Sequence, residues 1–208
     1  MSAPERLTAT FDGLASRVDA MGFRTIGFTS ALLGEGVSTL ALGTALSLAA
    51  MRRGSVLLVD ANWIHPSLTR DARLESSVGL AELLADRADA AACIRRYAPS
   101  RVAFLPLGDG MGARPTLRGL ASFVAKEAVS FETVIVDLPP VLAGETFVLP
   151  WAALLDQLFV VLREGATPLP LVRQALGKLS LAAPPYIVLN RARGSSVDVP
   201  AALLAARA

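Results

Sequence analysis

The sequence is poor in cysteine, histidine and lysine. Cys93 and His65 are the single residues of their types, and Lys126 and Lys178 are the two lysines among 20 basic residues. One cysteine excludes a disulfide framework and is typical of a reducing compartment. One cysteine with one histidine also supplies too few ligands for a zinc site and argues against a Cys/His nucleophile. The first half of the chain has no lysine at all, so any strongly cationic site there must use arginine.

Charge and hydropathy exclude two further classes of protein. The formal net charge of +2 gives little support to a nucleic-acid-binding surface, so we expect no nucleic-acid partner. The first residues lack the charged-then-apolar pattern of a secretion signal. Mean hydropathy is high at +0.50, but the longest uncharged run, residues 36–51, is too short to span a bilayer. We therefore expect a soluble, cytoplasmic protein.

Short uncharged runs rich in β-branched residues alternate with helical patterns along the chain. This alternation predicts an α/β fold with a mainly parallel central sheet, right-handed crossovers and helices on both faces. We expect strands at 25–29, 55–60, 101–105, 133–137, 157–162 and 186–190, and helices near 4–20, at 37–52, 79–86, 116–128 and 169–179, and near 200–206. No repeat or linker interrupts the chain, so we expect a single domain at 25–208, preceded by an N-terminal helix or extension at 1–24.

A glycine loop joins the first expected strand to an apolar helix, in the order TIGFT, SALLGEGVST and LALGTALSLAA. A strand, a glycine loop and a helix that begins with Ser or Thr form the context of a phosphate-binding P-loop. Glycines let backbone N–H groups surround phosphate oxygens, and the helix N-terminus adds partial positive charge. The candidate nucleotide-binding residues here are Gly34, Glu35, Gly36, Val37, Ser38 and Thr39, with Ser38 placed to ligate Mg²⁺.

The P-loop pattern normally has a lysine between the residues that correspond to Gly36 and Ser38, and this sequence has Val37. The substitution removes a point charge that would contact the β- and γ-phosphates. Taken alone, the segment is therefore as consistent with a plain strand-to-helix turn as with a nucleotide site.

Two acidic residues end apolar strand runs. VLLVDANWIHP places Asp60 at the end of one strand, and VIVDLPPV places Asp137 at the end of another. Ligands bind beyond the carboxyl ends of parallel strands, and a carboxylate there can hold Mg²⁺ directly or through water. We therefore expect Asp60 and Asp137 to hold Mg²⁺. Helix caps or turn formers are the structural alternative for both.

The order of motifs resembles the cytoplasmic domain of the bacterial tyrosine autokinases (BY-kinases) of capsule and exopolysaccharide synthesis. The resemblance covers residues 25–193, and these kinases belong to the deviant P-loop group that also holds the MinD/ParA ATPases. Its most specific pieces are Asp137-Leu-Pro-Pro, Asp60 followed by Pro66-Ser-Leu, and REGAT, which begins at Arg163. The resemblance implies a P-loop NTPase fold that uses ATP and Mg²⁺.

The resemblance also implies roles for single residues. Asp60 matches the first acid of the family's second motif, and Asp137 matches the acid of its third, which implies that both serve catalysis as well as metal binding. Asn190 and Arg191 match the stretch near the nucleotide base, and a carboxamide has the donor and acceptor that an adenine edge needs. A turn-forming asparagine after a strand is the alternative for Asn190.

Departures from the family pattern decide the functional expectation. The loop lysine is Val37, the second acid of the second motif is Asn62, and Tyr97 and Tyr186 are the chain's two tyrosines, so the family's tyrosine cluster is not found. We expect a degenerate kinase-like protein that binds ATP weakly or not at all and acts in regulation or assembly of exopolysaccharide or capsule export. The expected partner is the cytoplasmic tail of a membrane chain-length (co-polymerase) protein, which would recruit the chain to the inner face of the membrane, with homo-oligomers left open. The alternatives are an active ATPase or tyrosine kinase that uses a substitute arginine, and a MinD/ParA-like positioning ATPase.

Overall fold

A computed structural model describes residues 3–51, 54–96, 101–110, 114–179, 181 and 183–191. The helix expected near 200–206 lies outside these residues. Among the described residues, no helix combines the length and the apolar character that a membrane span requires.

A seven-stranded sheet with the order β3-β4-β2-β5-β1-β6-β7 forms the centre of the molecule. All its pairings are parallel except that of β3 with β4, so the predicted mainly parallel α/β sheet is confirmed. Every strand that we expected is present, with bounds that differ by at most one residue. The strands are β1 (Thr25–Ser30), β2 (Val56–Asp60), β3 (Arg95–Arg96), β4 (Val102–Leu105), β5 (Thr133–Asp137), β6 (Gln157–Arg163) and β7 (Tyr186–Asn190).

Helices cover both faces of the sheet, as expected. They are α1 (Ala3–Met21), α2 (Val37–Met51), α3 (Ser67–Asp71), α4 (Leu80–Leu84), α5 (Ala90–Cys93), α6 (Leu117–Lys126), α7 (Val141–Ala152) and α8 (Leu169–Leu179), with a 3₁₀ turn at Ala128–Ser130. Side chains of α1, α2 and α3 form one core with the sheet, and side chains of α4 to α8 form the other. The central strands are thus buried on both faces, which is why they are continuous apolar runs in the sequence.

Helix α2 packs closely between α1 and the sheet. A side chain at Gly43 would overlap the ring of Phe11, so the absence of a side chain there lets α1 approach α2. Ala15 and Val18 of α1 are almost fully buried in the same core as α2. The start of α2, and with it the loop that precedes it, is therefore held from both sides.

Four elements were not expected from the sequence: the helices α3, α5 and α7 and the short strand β3. Helix α7 contains Pro150 and a non-helical Gly144 (φ −139°, ψ 37°), which break the helical pattern. The other three are only two to five residues long, below the length at which periodicity can be read. Helix α3 matters most, because it lies at the candidate site.

The strand order brings the carboxyl ends of β2, β5 and β1 together. Asp60 and Asp137 are register partners on the adjacent parallel strands β2 and β5, so their Cα atoms are about 4.8 Å apart. Phe28 of β1 is the register partner of Asp137 on its other side. The chain then leaves β1 at Ser30 and enters the glycine loop above this edge.

Candidate functional site

The glycine loop, residues 31–36, bounds a cavity of about 450 Å³ at this edge of the sheet. Gly34 and Gly36 have φ values of +81° and +91°, which residues with a side chain rarely adopt. Helix α2 begins directly afterwards, with the N–H of Leu40 donating to the carbonyl of Gly36 at 3.1 Å. The cavity wall comprises residues 32–39 together with Ser30, Asn62, His65, Ser67, Leu138 and Pro140.

Two side chains, one from the loop and one from β7, brace the loop. Glu35 is 4% exposed, and its Oε2 accepts hydrogen bonds from the backbone N–H of Arg163 at 2.7 Å and from the hydroxyl of Thr167. Asn190 donates from Nδ2 to the carbonyl of Glu35 at 2.7 Å and accepts from the N–H of Arg191 at 2.9 Å. One donor of Asn190 is thus used by the loop. That Asn190 and Arg191 also contact a nucleotide base stays a prediction.

Gly36→Ala is expected to destabilise the protein by about 1–3 kcal/mol, because it forces a side chain into the left-handed region. The new Cβ would also lie 2.2 Å from Nδ2 of Asn190, so the brace on Glu35 would have to move. Urea unfolding measures the effect. Gly13→Ala on α1 is the matched control: a Cβ there meets nothing within 4 Å, so stability should not fall. Equal stability of Gly36→Ala and wild type would contradict this geometry of the loop.

Asp60 is fully buried and well supplied with donors. Its Oδ1 accepts from the N–H of Asn62 at 3.1 Å, and its Oδ2 accepts from both the N–H and the hydroxyl of Thr69 at 2.8 Å. Burial raises the pKa of Asp60, while the hydrogen bonds from Thr69 and Asn62 and the nearby His65 act in the opposite direction. The charged form of this carboxyl is therefore partly compensated.

Asp137 is fully buried without such support. Neither carboxyl oxygen has a hydrogen-bond partner within the part of the chain that the structure describes. Burial raises the pKa of Asp137 well above its usual value, the charge of Asp60 raises it further, and the Ser38 hydroxyl lowers it only weakly. Because Asp60 accepts from three donors and Asp137 has at most the Ser38 hydroxyl, we expect a proton shared by the pair to lie on Asp137.

Helix α3 closes the site on the side opposite the brace. The Ser67 hydroxyl donates to the Ser38 hydroxyl at 2.8 Å. Thr69, which holds Asp60, also accepts from the N–H of Leu107 at 2.9 Å. The helix is thereby tied to the glycine loop, to the first acid and to the chain after β4. Sequence reasoning missed Ser67 and Thr69 as site residues, although Pro66-Ser-Leu was one of the recognised pieces.

The positive charge of a P-loop is missing from this cavity. Val37 is 8% exposed in the first turn of α2 and offers an isopropyl group where a lysine would supply an ammonium. Of the described residues that line the cavity, His65 is the one with a basic side chain. Its Nε2 lies 3.1 Å from Nη1 of Arg70 on α3.

The residues at the cavity match the shape of a magnesium-bound nucleotide. They supply only part of the positive charge that its phosphates would need. The positive-φ glycines and the start of α2 form a phosphate cradle, and Ser38 stands in front of the unpartnered Asp137. The described residues contain no cluster of three or more His, Cys, Asp or Glu side chains that could hold a metal ion. Mg²⁺ would therefore depend on phosphate oxygens and water in addition to Ser38 and one or both acids.

The structure brings together the predicted loop 34–39, Asp60 and Asp137, which are far apart in sequence. Asn190 and Arg191 lie at the outer side of the loop, next to Glu35. Asp60 and Asp137 are fully buried and are not among the residues of the cavity wall, which includes their neighbours Ser38 and Leu138.

Comparisons with known proteins agree with this geometry. No known protein-family model matches the chain. The succinoglycan biosynthesis transport protein ExoP of Rhizobium meliloti (strain 1021) is 33% identical over 162 residues, which is 74% of this chain and 20% of ExoP. The chain thus spans about a fifth of the length of this curated relative.

Solved structures give a closer match in length. The kinase domain of VpsO is 26% identical with a TM-score of 0.75, and the match covers 90% of this chain and 93% of that domain. The BceF tyrosine kinase domain, at 24% identity and a TM-score of 0.70 over 88% of this chain and 76% of its own, shares the fold. So does a cobyrinic acid a,c-diamide synthase of Mycobacterium smegmatis solved with a bound ATP analogue and magnesium, at 20% identity and a TM-score of 0.66 over 89% and 82% of the two chains.

Proposed function

Because the chain belongs to the bacterial tyrosine kinase family of P-loop domains, we propose that it is a regulatory or assembly component of exopolysaccharide biosynthesis and export. In this role it binds Mg²⁺-ATP weakly and hydrolyses it near the background rate. The similarity to a succinoglycan transport protein supports the pathway. The partner is then the cytoplasmic tail of a membrane co-polymerase, which brings the domain to the inner face of the membrane.

The observation that carries the weak activity is the combination of an intact phosphate cradle with a missing cation. Gly34 and Gly36 keep the loop conformation, while Val37 leaves two adjacent buried acids without a neighbouring ammonium. Charge contacts to the transferred phosphate count most in the transition state, so their loss lowers hydrolysis more than binding.

Named roles follow for the site residues. The N–H groups of residues 34–39 surround the phosphates, and Ser38 with Asp137 or Asp60 holds Mg²⁺. Glu35 and Asn190 keep the loop in its binding conformation. Bound Mg²⁺-ATP would supply the phosphoryl group, and the chain's own residues orient it and hold its charge.

Deletion of the gene in the source bacterium tests the proposed function. We expect less high-molecular-mass exopolysaccharide, measured by size-exclusion chromatography with light scattering, because assembly loses a component. Wild type and the control Gly13→Ala should restore the polymer, whereas Gly36→Ala, which disturbs the cradle, should not. An unchanged amount and size of polymer after deletion would contradict a role in this pathway.

A further inference from the structure

Helix α3 is positioned by the site itself. Its first residue, Ser67, donates to Ser38 of the glycine loop at 2.8 Å, and Thr69 donates twice to Asp60 at 2.8 Å. These contacts fix the helix at the open side of the cavity, opposite the brace formed by Glu35. The next residue along the helix is an arginine.

Arg70 lies one turn after Ser67, so both project from the same side of α3. Its Nη1 is 3.1 Å from Nε2 of His65 in the cavity wall. Arginine has donors and no acceptor, so Nε2 is the unprotonated nitrogen and accepts this hydrogen bond. His65 thereby anchors the permanent positive charge of Arg70 beside the cavity.

The guanidinium of Arg70 keeps the capacity to bind a ligand. Its side chain is 54% exposed, and its approach to Asp71 is long, at 3.8 Å between Nε and Oδ1. An exposed pair at that distance contributes little. Most of the five N–H donors of the guanidinium therefore remain available, and their planar arrangement matches the oxygens of a phosphate.

Two other arginines lie near the loop but on its far side. The backbone of Arg163 holds the carboxylate of Glu35, and Arg191 follows Asn190, which holds the Glu35 carbonyl. Both are therefore next to the Glu35 side of the loop, whereas Arg70 is on the helix whose first residue, Ser67, contacts Ser38. A cation that compensates for Val37 has to be on the Ser38 side, where the terminal phosphate and its metal would lie.

We propose that Arg70, held by His65, supplies the positive charge on the terminal phosphate that Val37 does not supply. The inference rests on the proposed nucleotide site and deepens it: the phosphate cation comes from α3 rather than from the loop. Since Arg70 is at the rim, it contacts the outermost phosphate and favours a nucleoside triphosphate over a diphosphate.

Isothermal titration with Mg²⁺-ATP and Mg²⁺-ADP tests this inference on four proteins: wild type, Arg70→Ala, Val37→Lys and the double variant. We expect Arg70→Ala to weaken ATP binding by about tenfold to a hundredfold, the range of a hydrogen bond to a charged group, and ADP binding by less. In the Val37→Lys background the loss should be smaller, because a lysine already serves the same phosphate. Arg73→Ala, which removes an exposed arginine of the same segment outside the cavity wall, should bind both nucleotides like wild type.

The role of His65 in positioning Arg70 can be measured separately, as the preference for ATP over ADP. His65→Gln keeps an acceptor for Arg70 and should retain most of the preference for ATP over ADP, whereas His65→Ala should lose it. Equal ATP affinity of wild type and Arg70→Ala, with binding still present, would overturn the inference and leave the proposed function standing. No binding by either wild type or Val37→Lys would overturn the proposed nucleotide site and this inference with it. A loss in Arg163→Ala or Arg191→Ala instead would assign the cation to the other side of the loop.

Discussion

In the Arg70→Ala background, Val37→Lys is expected to raise the product of the affinity for Mg²⁺-ATP and the rate of its hydrolysis by about 30-fold to several thousand-fold, and by less where Arg70 is present. This range corresponds to the roughly 2–5 kcal/mol that a buried, hydrogen-bonded charge contact contributes. The residue is in the first turn of α2, directly after the positive-φ Gly36, so the new side chain starts where a P-loop lysine starts. Isothermal titration and a phosphate-release assay measure binding and hydrolysis separately.

The control for this substitution is Val37→Met, which lengthens the side chain without adding charge. We expect its ATP affinity to stay within a few-fold of wild type, since methionine fills the same space with an apolar group. Wild-type protein should bind ATP with an affinity no better than high micromolar. Tight binding by wild type would contradict the view that the missing lysine limits the site. A gain of similar size in Val37→Met would show that packing, and not charge, had been limiting.

A lysine at position 37 also changes the stability of the protein. It would lie near the edge where Asp60 and Asp137 are register partners and where Asp137 lacks a hydrogen-bond partner among the described residues. An opposite charge near a buried carboxylate favours its ionised form and lowers its pKa. The variant should therefore show a smaller loss of stability at high pH than wild type, independently of any nucleotide.

The central sheet could be predicted from the sequence because burial on both faces leaves a direct pattern. The strands β1, β2 and β5 are buried at every position, so each is an uninterrupted apolar run. The sequence placed the polar residues Asp60 and Asp137 at the carboxyl ends of two of these runs. The structure pairs them in register on the adjacent strands β2 and β5.

Helix α7 could not be predicted because tertiary packing overrides its local sequence. Gly144 breaks the helical geometry. A Cβ at this position would lie about 3 Å from side-chain atoms of Pro139 and Ile64, so the absence of a side chain makes room for both residues. Pro150 lacks the N–H that an interior helical residue donates. The helix is held instead by the fully buried Val148 and Trp151, which pack in the core beneath it.

Helix α3 was missed for a different physical reason. Five residues are too few to form a helix by propensity alone. Its position depends on Thr69 donating to Asp60, nine residues away, and accepting from Leu107, 38 residues away. Only the folded chain supplies those partners. The phosphate-binding cation that we assign to Arg70 of α3 could therefore not be predicted from the sequence, although a substitute arginine was among the alternatives.

Asp137→Asn is expected to stabilise the folded protein by about 1–3 kcal/mol at mildly alkaline pH. The wild-type carboxyl is fully buried, lacks a hydrogen-bond partner among the described residues and lies beside Asp60. An ionised carboxyl that is buried without a donor costs more than a neutral polar group in the same place, by roughly that amount. The amide has nearly the same shape and cannot ionise. Urea unfolding of both proteins at a series of pH values measures the difference.

Asp60→Asn is the matched control and should act in the opposite direction. Asp60 accepts three hydrogen bonds, two of them from Thr69, and an amide cannot accept on its nitrogen. Breaking this set leaves α3 without its attachment, so we expect a loss of stability. Both substitutions replace a carboxylate by an amide, and the two residues are register partners. The opposite changes in stability that we expect follow from the difference in hydrogen-bond donors between Asp60 and Asp137. A loss of stability in both variants would show that Asp137 has a partner after all.

The expected effect of Asp137→Asn on the free energy of unfolding depends on pH, in a direction set by the pKa of Asp137. The pKa of this carboxyl is raised well above the ordinary value of 3.8, first by burial and then by the charge of Asp60. The folded state therefore holds the proton more tightly than the unfolded state, and wild-type stability falls as pH rises from about 3.8 toward the raised folded pKa. Asp137→Asn lacks this contribution, so its advantage should be near zero at about pH 4 and grow with pH. Mg²⁺-ATP should reverse the order, because a ligand that binds the ionised carboxyl stabilises wild type and not the amide. An advantage that did not change with pH would show that Asp137 keeps its ordinary pKa and is not the acid that carries the shared proton.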